Sequence, residues 1–309
     1  MNARRAFLPV SLLCLAIPFA VSAAEPGCIN PAGPVAYYDF DHPDPEDASR
    51  ESDRGNSGTS LWLVNGGAAM RVADEAYPGA GMALETRQVD PAERGNDDWK
   101  AGVFDRDGVA TLEALSAVRG ITLAGWVKPV GSHPNPNSMT DDPDDMFSAV
   151  GLFGLLSGTS EGHLVRALLE VITVNGELKL VALGRRFDDG ESLLLVADAP
   201  WEALLPAGQW THITATFDFD DGTMALYRNG KPLSATYTSD EDRWQVDGGP
   251  EPDASSPRLP NGIKIGGSYP QNTEERNPFN GRFDELLFFA RSLNAEQVEL
   301  LFERYGVTP

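Results

Sequence analysis

Between Thr211 and Phe219 apolar and polar side chains alternate without a break. Ile213, Ala215, Phe217 and Phe219 occupy one set of positions, His212, Thr214, Thr216 and Asp218 the other. A period of two sends the two sets to opposite faces of an extended chain, which predicts a strand in a sheet covered on one side. Asp221-Gly222 then turns the chain into Thr223 to Arg228, and Asn229-Gly230 turns it again toward Leu233 to Tyr237, predicting an antiparallel meander. Further strands are expected at Val35 to Asp41, at Ile121 to Val127, and at His163 to Val174 and Glu177 to Leu183. The last two flank Asn175-Gly176, a two-residue hairpin signal. Trp62, Trp126 and Trp210 fall within strand patterns and are expected in the core. One helix stands out near the end. Asn294 can cap it, Gln297 can complete a capping box, and Val298, Leu301, Phe302 and Tyr305 share one stripe before Gly306 stops it. Strands at this density, with two faces to bury, imply an all-β sandwich of two antiparallel sheets with one short C-terminal helix.

Composition agrees: 31 glycines and 23 prolines suit many turns joining short strands. No repeat with a period of about 20–50 residues is visible. The linker-like stretches Gly131 to Asp145 and Ser239 to Leu259 are flanked by strand patterns and read as surface loops of one domain. The balance of 24 basic against 46 acidic residues gives a net charge of −22. That argues against nucleic acid and anionic lipid as partners and suits cations such as Ca²⁺, which prefers carboxylate and carbonyl oxygens.

Met1 to Ala23 reads as a signal peptide: Arg4 and Arg5, an apolar stretch from Ala6 to Val21, then the small residues Ser22, Ala23 and Ala24. Arg4-Arg5-Ala6-Phe7-Leu8 also resembles a twin-arginine export motif, with Ala3 in place of the usual Ser or Thr. The apolar run is too short and too interrupted by proline for a spanning helix, which needs roughly 20 apolar residues. The expected product is an exported protein, periplasmic or extracellular, with a flexible segment at 24–33 and one domain at 34–309. Removing the signal takes away two arginines and Cys14, leaving a net charge of −24 and Cys28 as a lone thiol, so no internal disulfide is expected.

Several segments together resemble the laminin-G-like group of the concanavalin A-like lectin/glucanase superfamily. They are Val35 to Asp41 followed by Asp53-Arg54-Gly55-Asn56-Ser57-Gly58, then Gly120 to Val127, Gln209 to Asp218 with Leu226 to Leu233, Ile265-Gly266-Gly267, and Asn280 to Leu286 leading to Arg291-Ser292-Leu293 and Glu296-Gln297-Val298. The resemblance covers about Pro34 to Gly306. It implies a jelly-roll β-sandwich and a structural Ca²⁺ site joining the opening loop to the Phe283-Asp284-Glu285 strand. The metal ligands it implies are Asp41, Asp53, Asn56 and Asp284, and the other reading of these residues is solvated turn acids at strand ends.

Sugar binding needs an aromatic platform ringed by polar groups. Trp99, Trp201, Trp244 and Tyr269 are the aromatics outside clear strand-core positions. Trp244 and Tyr269 sit beside long loops that also supply Asn272 and Arg276, and these four are the expected ligand-binding residues. A second acidic group, Asp141, Asp142, Asp144 and Asp145, reads as a solvated charge run. No catalytic signature is found. The paired carboxylates of the retaining glucanases and the Gln-x-His strand of the sandwich-fold lyases are both missing, and adjacent Asp284 and Glu285 are expected on opposite faces of their strand. The expected function is therefore a secreted, non-catalytic module that binds glycan or a cell-surface or envelope protein, with calcium as a structural ion. Two other readings remain: a polysaccharide lyase or glycosidase using His212, Tyr227, Arg228 or Glu285, and a structural envelope or matrix component.

Overall fold

The computed structural model describes residues 33–89, 98–103, 115, 118–130, 150–157, 164–185, 192–238, 245–246, 249–250, 260–267 and 279–305. Among them, two large antiparallel sheets are stacked. The first runs, edge to edge, β14 (Lys231–Pro232), β13 (Thr223–Arg228), β12 (Thr211–Asp218), β7 (Gly120–Pro129), β19 (Gly281–Phe289), β5 (Ala83–Thr86) and β4 (Arg71–Val72), and β1 (Ala36–Tyr38) also pairs with β19. The second runs β15 (Ala235–Tyr237), β11 (Ser192–Ala197), β10 (Glu177–Arg185), β9 (Leu164–Val174), β8 (Val150–Ser157), β18 (Pro260–Ile265), β6 (Lys100–Gly102), β3 (Leu61–Val64) and β2 (Arg50–Glu51). A small pair, β16 (Gln245–Val246) and β17 (Gly249–Pro250), and two helices, α1 (Trp201–Leu204) and α2 (Ala295–Tyr305), complete the described elements. This is the expected jelly-roll sandwich. None of its helices, among the described residues, is long and apolar enough to cross a membrane.

The inward faces meet in one hydrophobic layer. Phe283 and Phe288 of the first sheet pack edge-on against Phe153 of the second, at 6.1 and 6.3 Å between ring centroids. Such pairs contribute about 0.5–1.5 kcal/mol beyond the area they bury. The Asn175-Gly176 hairpin forms as expected, with φ of 52° and 79°, because those residues tolerate the left-handed backbone that a tight hairpin needs.

The meander ends earlier than the pattern suggests. Lys231 and Pro232 pair with β13, but Pro232 has no N–H to extend the ladder, and Ala235–Tyr237 joins β11 of the opposite sheet. The expectation that β12 is covered on one side is also corrected. His212, Thr214 and Thr216 are buried on the outer face of the first sheet. A second apolar cluster forms there from Ala124, Tyr227, Leu287, Phe289, Leu293 and, from α2, Val298 and Leu301. The amphipathic helix lies on that face, and burying each such aliphatic side chain contributes roughly 1.5–3 kcal/mol. Its capping box is reciprocal: the Gln297 amide donates to Asn294 Oδ1 at 2.9 Å, and the Asn294 amide donates to Gln297 Oε1 at 3.1 Å.

Among the tryptophans, Trp126 is buried, while Trp62 and Trp210 are only half-buried. Arg50 stacks 3.8 Å from the Trp62 ring centroid and Lys128 lies 5.6 Å from that of Trp210. Trp62 is an outward-facing position of β3 and Trp210 lies just before β12 rather than in it, and the cation stems shield both rings. Trp201, weighed as a loop platform, is part of the core instead.

Candidate functional site

The last strand meets two partners along one edge. Gly281, Arg282 and Phe283 pair with β5, while Leu286, Leu287 and Phe288 pair with β1. Asp284 and Glu285 fall in the gap between them. On the other edge, Asp284 lies opposite Trp126 and Leu287 opposite Ala124, so two residues of β19, Glu285 and Leu286, face the single Gly125 of β7. This is a β-bulge, and Glu285 takes its left-handed conformation at φ 50°. The bulge overturns the expectation that the two acids face opposite ways, since both project from the outer face. Tyr77, whose ring packs 6.1 Å from that of Trp126, donates from its phenol to Glu285 Oε1 at 2.6 Å. The neighbouring Ala76 amide points at Asp284 Oδ2 from 3.4 Å.

Two further stretches converge on the gap because they adjoin the strands that border it. Asp39, Phe40 and Asp41 follow β1, and the segment 73–82 leads into β5. Asp41 Oδ1 accepts from the Met82 amide at 2.8 Å, and Gly81, at φ 87°, lies so close that a Cβ there would meet Asp41 Oδ2 at 2.1 Å. Phe40 is itself at φ 59°, buried in the core between the two aspartates. Among described residues other than glycine and asparagine, Phe40 and Glu285 are the ones with positive φ. A bulky side chain there costs of order 1–3 kcal/mol, and such strain concentrates where function fixes the geometry.

The result is a set of mutually repelling carboxyls. Burial, then the charges of Glu285 and Asp41, push Asp284 up to about 9, although the Glu285 amide donates to its Oδ1 at 2.8 Å. Burial also raises Glu285, against the lowering effect of the Tyr37 and Tyr77 phenols that donate to its two oxygens. The segment 73–82 is tied down beside this site. Lys128 Nζ donates to both oxygens of Asp74 at 2.9 and 2.8 Å, and Arg282 bridges Asp74 and Glu85. Burial works against the Asp74 charge, but Lys128 and Arg282 hold its carboxyl below the usual range.

Of the four expected metal ligands, the fold brings Asp41 and Asp284 together. Asp53 serves the loop that follows it. Its Oδ1 accepts from the Tyr37 and Gly55 amides at 2.8 and 2.6 Å. Its Oδ2 accepts from the Ser57 amide, the Ser57 hydroxyl and the Gly58 amide at 3.1, 2.6 and 2.9 Å. Asn56 anchors the same loop, its amide donating to the Pro34 and Val35 carbonyls. The expected ligand-binding residues Trp244, Tyr269, Asn272 and Arg276, and the acidic run at 141–145, lie outside the described residues.

A second group gathers Asp39, His42 and Glu51 with ligand atoms within 4.8 Å of one another. Its chemistry suits a metal poorly. Glu51 is fully buried, its Oε2 takes Arg71 Nη2 at 2.6 Å, and its Oε1 accepts from the His42 amide at 2.8 Å. A metal there would have to displace a buried guanidinium. The hard oxygen donors of Asp41 and Asp284, neither carboxyl paired with a lysine or arginine among the described residues, fit Ca²⁺ better.

The residues weighed for catalysis do not gather at one open face. His212 is enclosed, Tyr227 is buried, Glu285 is held by two tyrosines, and Arg228, opposite inward-facing Ile213, donates to the Leu204 carbonyl at 2.8 Å. Sequence reasoning missed the part played by Tyr37 and Tyr77. No motif marks Tyr77, since its importance comes only from where the segment before β5 lies.

The family model described as the concanavalin A-like lectin/glucanases superfamily, laminin-G type, matches residues 104–299. The binding domain of botulinum neurotoxin DC, solved in complex with rat synaptotagmin II, superposes with a TM-score of 0.52 at 11% identity, over 89% of this chain and 52% of that one. A botulinum neurotoxin type C structure, from work on cell entry dependent on two ganglioside molecules, gives 0.50 at 13% identity over 89% and 52%. The chain thus spans about half the length of those toxin chains, and at such identities the likeness is one of fold. A UDP-N-acetylenolpyruvoylglucosamine reductase from Saccharopolyspora erythraea is 33% identical over 99 residues, 28% of this chain and 26% of that protein, too short a share to carry an activity across.

Proposed function

The chain belongs to the laminin-G-like branch of the concanavalin A-like lectin/glucanases superfamily, and from that membership we propose that it is an exported, non-catalytic module that binds glycan or a cell-surface or envelope protein. The family match and a fold shared with binding domains support a carbohydrate- or protein-binding role. Export rests on the Met1 to Ala23 pattern, and the binding domain on residues 34–309.

Calcium is the proposed structural ion, with Asp41 and Asp284 as the side chains that hold it. The observation behind this is the buried Asp284 carboxyl, crowded by Glu285 and Asp41 and driven toward its neutral form. A divalent cation would supply the missing positive charge and let the Asp284 carboxyl ionise. Tyr37 and Tyr77 orient Glu285, and Met82 orients Asp41. Such a site would fasten β1 to β19 and the segment 73–82 to both, which suits a domain without a disulfide.

The test is retention of the purified chain on a glycan array and on a panel of envelope proteins, in calcium and in chelator. The reading expects retention of at least one glycan or protein, weakened in chelator. No retention on either panel would overturn it.

A further inference from the structure

His212 lies fully buried on the outer face of β12, and among the described residues neither ring nitrogen has a hydrogen-bond partner. Aromatic carbon encloses it. The ring is edge-on to Trp126 of β7 at 5.4 Å and tilted against Phe302 of α2 at 5.6 Å, and those two rings are 5.9 Å apart. The remaining wall is the turn after β13. Asn229 Oδ1 accepts from the His212 amide at 3.0 Å, and the Asn229 amide donates to the His212 carbonyl at 2.8 Å. Gly230, at φ 74°, admits the helix, since a Cβ there would lie 3.0 Å from Phe302 Cβ. The Thr214 hydroxyl, next on the same face, is likewise buried without a partner among the described residues. A neutral imidazole is tolerated in such a place, whereas an imidazolium has two donors to satisfy and a charge to solvate.

We propose that α2 is an acid-released latch: protonation of His212 lifts the helix from the outer face of the first sheet and uncovers Trp126, Tyr227, Leu287 and Phe289. Of the walls around the ring, α2 is the one that can leave without breaking a sheet. It is the last described element, and its hold on the turn is Phe302 together with the exposed ion pair between Glu299 and Lys231.

The charged groups on the surrounding elements are already engaged or at a distance. Lys128 on β7 is bound to Asp74. Asp284 on β19 lies beyond Trp126 in the same cross-strand row, and Glu285 is bonded to tyrosines. On β13 and its turn, Arg228 is bonded to Leu204 and Lys231 to Glu299. Glu303 and Arg304 are the other charged residues at that end of α2. None of them contributes to the shift at His212, where burial alone pushes the pKa down to about 3. With the helix lifted, the ring returns to an ordinary value of about 6.5. The closed state is therefore at full strength above about pH 6.5 and is lost progressively as the pH falls toward about 3. Relative to pH 7.5, the open population rises about 30-fold at pH 5 and about 300-fold at pH 4.

The test is amide hydrogen exchange on the full chain between pH 7.5 and 4.5, corrected for intrinsic rates. Protection at Val298, Leu301 and Phe302 should fall about 30-fold by pH 5, while the β9 and β10 amides hold theirs, and His212→Phe should abolish the fall. Constant protection in α2, simultaneous loss in helix and sheets, or a His212→Phe chain that follows its parent would overturn the proposal. If that variant does not fold, the His212 ring resonances of the parent decide. Titration near pH 6.5 with α2 fully protected is the contradicting result, and titration only as α2 begins to exchange is the supporting one.

Discussion

The Tyr77 phenol donates to Glu285 Oε1 at 2.6 Å, joining the segment before β5 to the bulge in β19. With Tyr37 on the other oxygen, it holds a buried carboxylate in a strained backbone position. Tyr77→Phe leaves that carboxylate short of one donor. We expect a loss of about 1–3 kcal/mol, as for hydrogen bonds to buried charged groups. Urea unfolding measures it, and a change within about 0.5 kcal/mol, the range of an ordinary surface substitution, would show that the phenol is not a structural tie.

Asp284 sets a pH dependence whose sign follows from its raised pKa of about 9. Without a cation, the stability it contributes is present below its ordinary value near 3.8 and is lost as the pH rises toward about 9. Asp284→Asn removes that loss. In chelator the variant should melt above its parent, by a margin that grows from pH 5 to pH 8, at about 2–4 °C for each kcal/mol recovered. A margin that shrinks as the pH rises contradicts the assignment.

Gly81 faces Asp41 at φ 87°, where a methyl group has no room. Gly81→Ala should cost at least about 1 kcal/mol from backbone strain alone. It should also displace the Asp41 carboxylate and so weaken calcium binding, and calorimetric titration would show whether affinity falls along with stability.

The helix cap is a local and independent case. Asn294→Ala removes the acceptor for the Gln297 amide and should cost about 1 kcal/mol. Hydrogen exchange should speed up in the first turn of α2 while the sheet amides keep their protection.

These residues also show how far the chain could be read unaided. The Asn294–Gln297 box and the Asn175-Gly176 turn were legible because their chemistry is local: the side chains bond to backbone within a few positions. The alternation in β12 was legible as a strand but not as a buried one. His212 and Thr214 are polar, and it is the packing of Trp126 and α2 on the outer face that takes the His212 ring out of water. The bulge was not legible, because its left-handed position is filled by Glu285 rather than glycine, so a pattern of strict alternation separates two acids that in fact share a face. Asp41 and Asp284 came from family resemblance. The fold explains their meeting, since β5 gives way to β1 along the edge of β19 at that point. Nothing near Tyr77 in the sequence marks the segment that closes over them.

The most direct measurement is thermal unfolding during a calcium titration, with the parent chain and Asp284→Asn side by side. If Asp41 and Asp284 hold the ion that fastens β1 to β19, calcium at one hundred times its dissociation constant stabilises the parent by about 2.7 kcal/mol and leaves the variant unmoved. A parent whose melting temperature ignores calcium, or a variant that responds as strongly as the parent, would contradict the account.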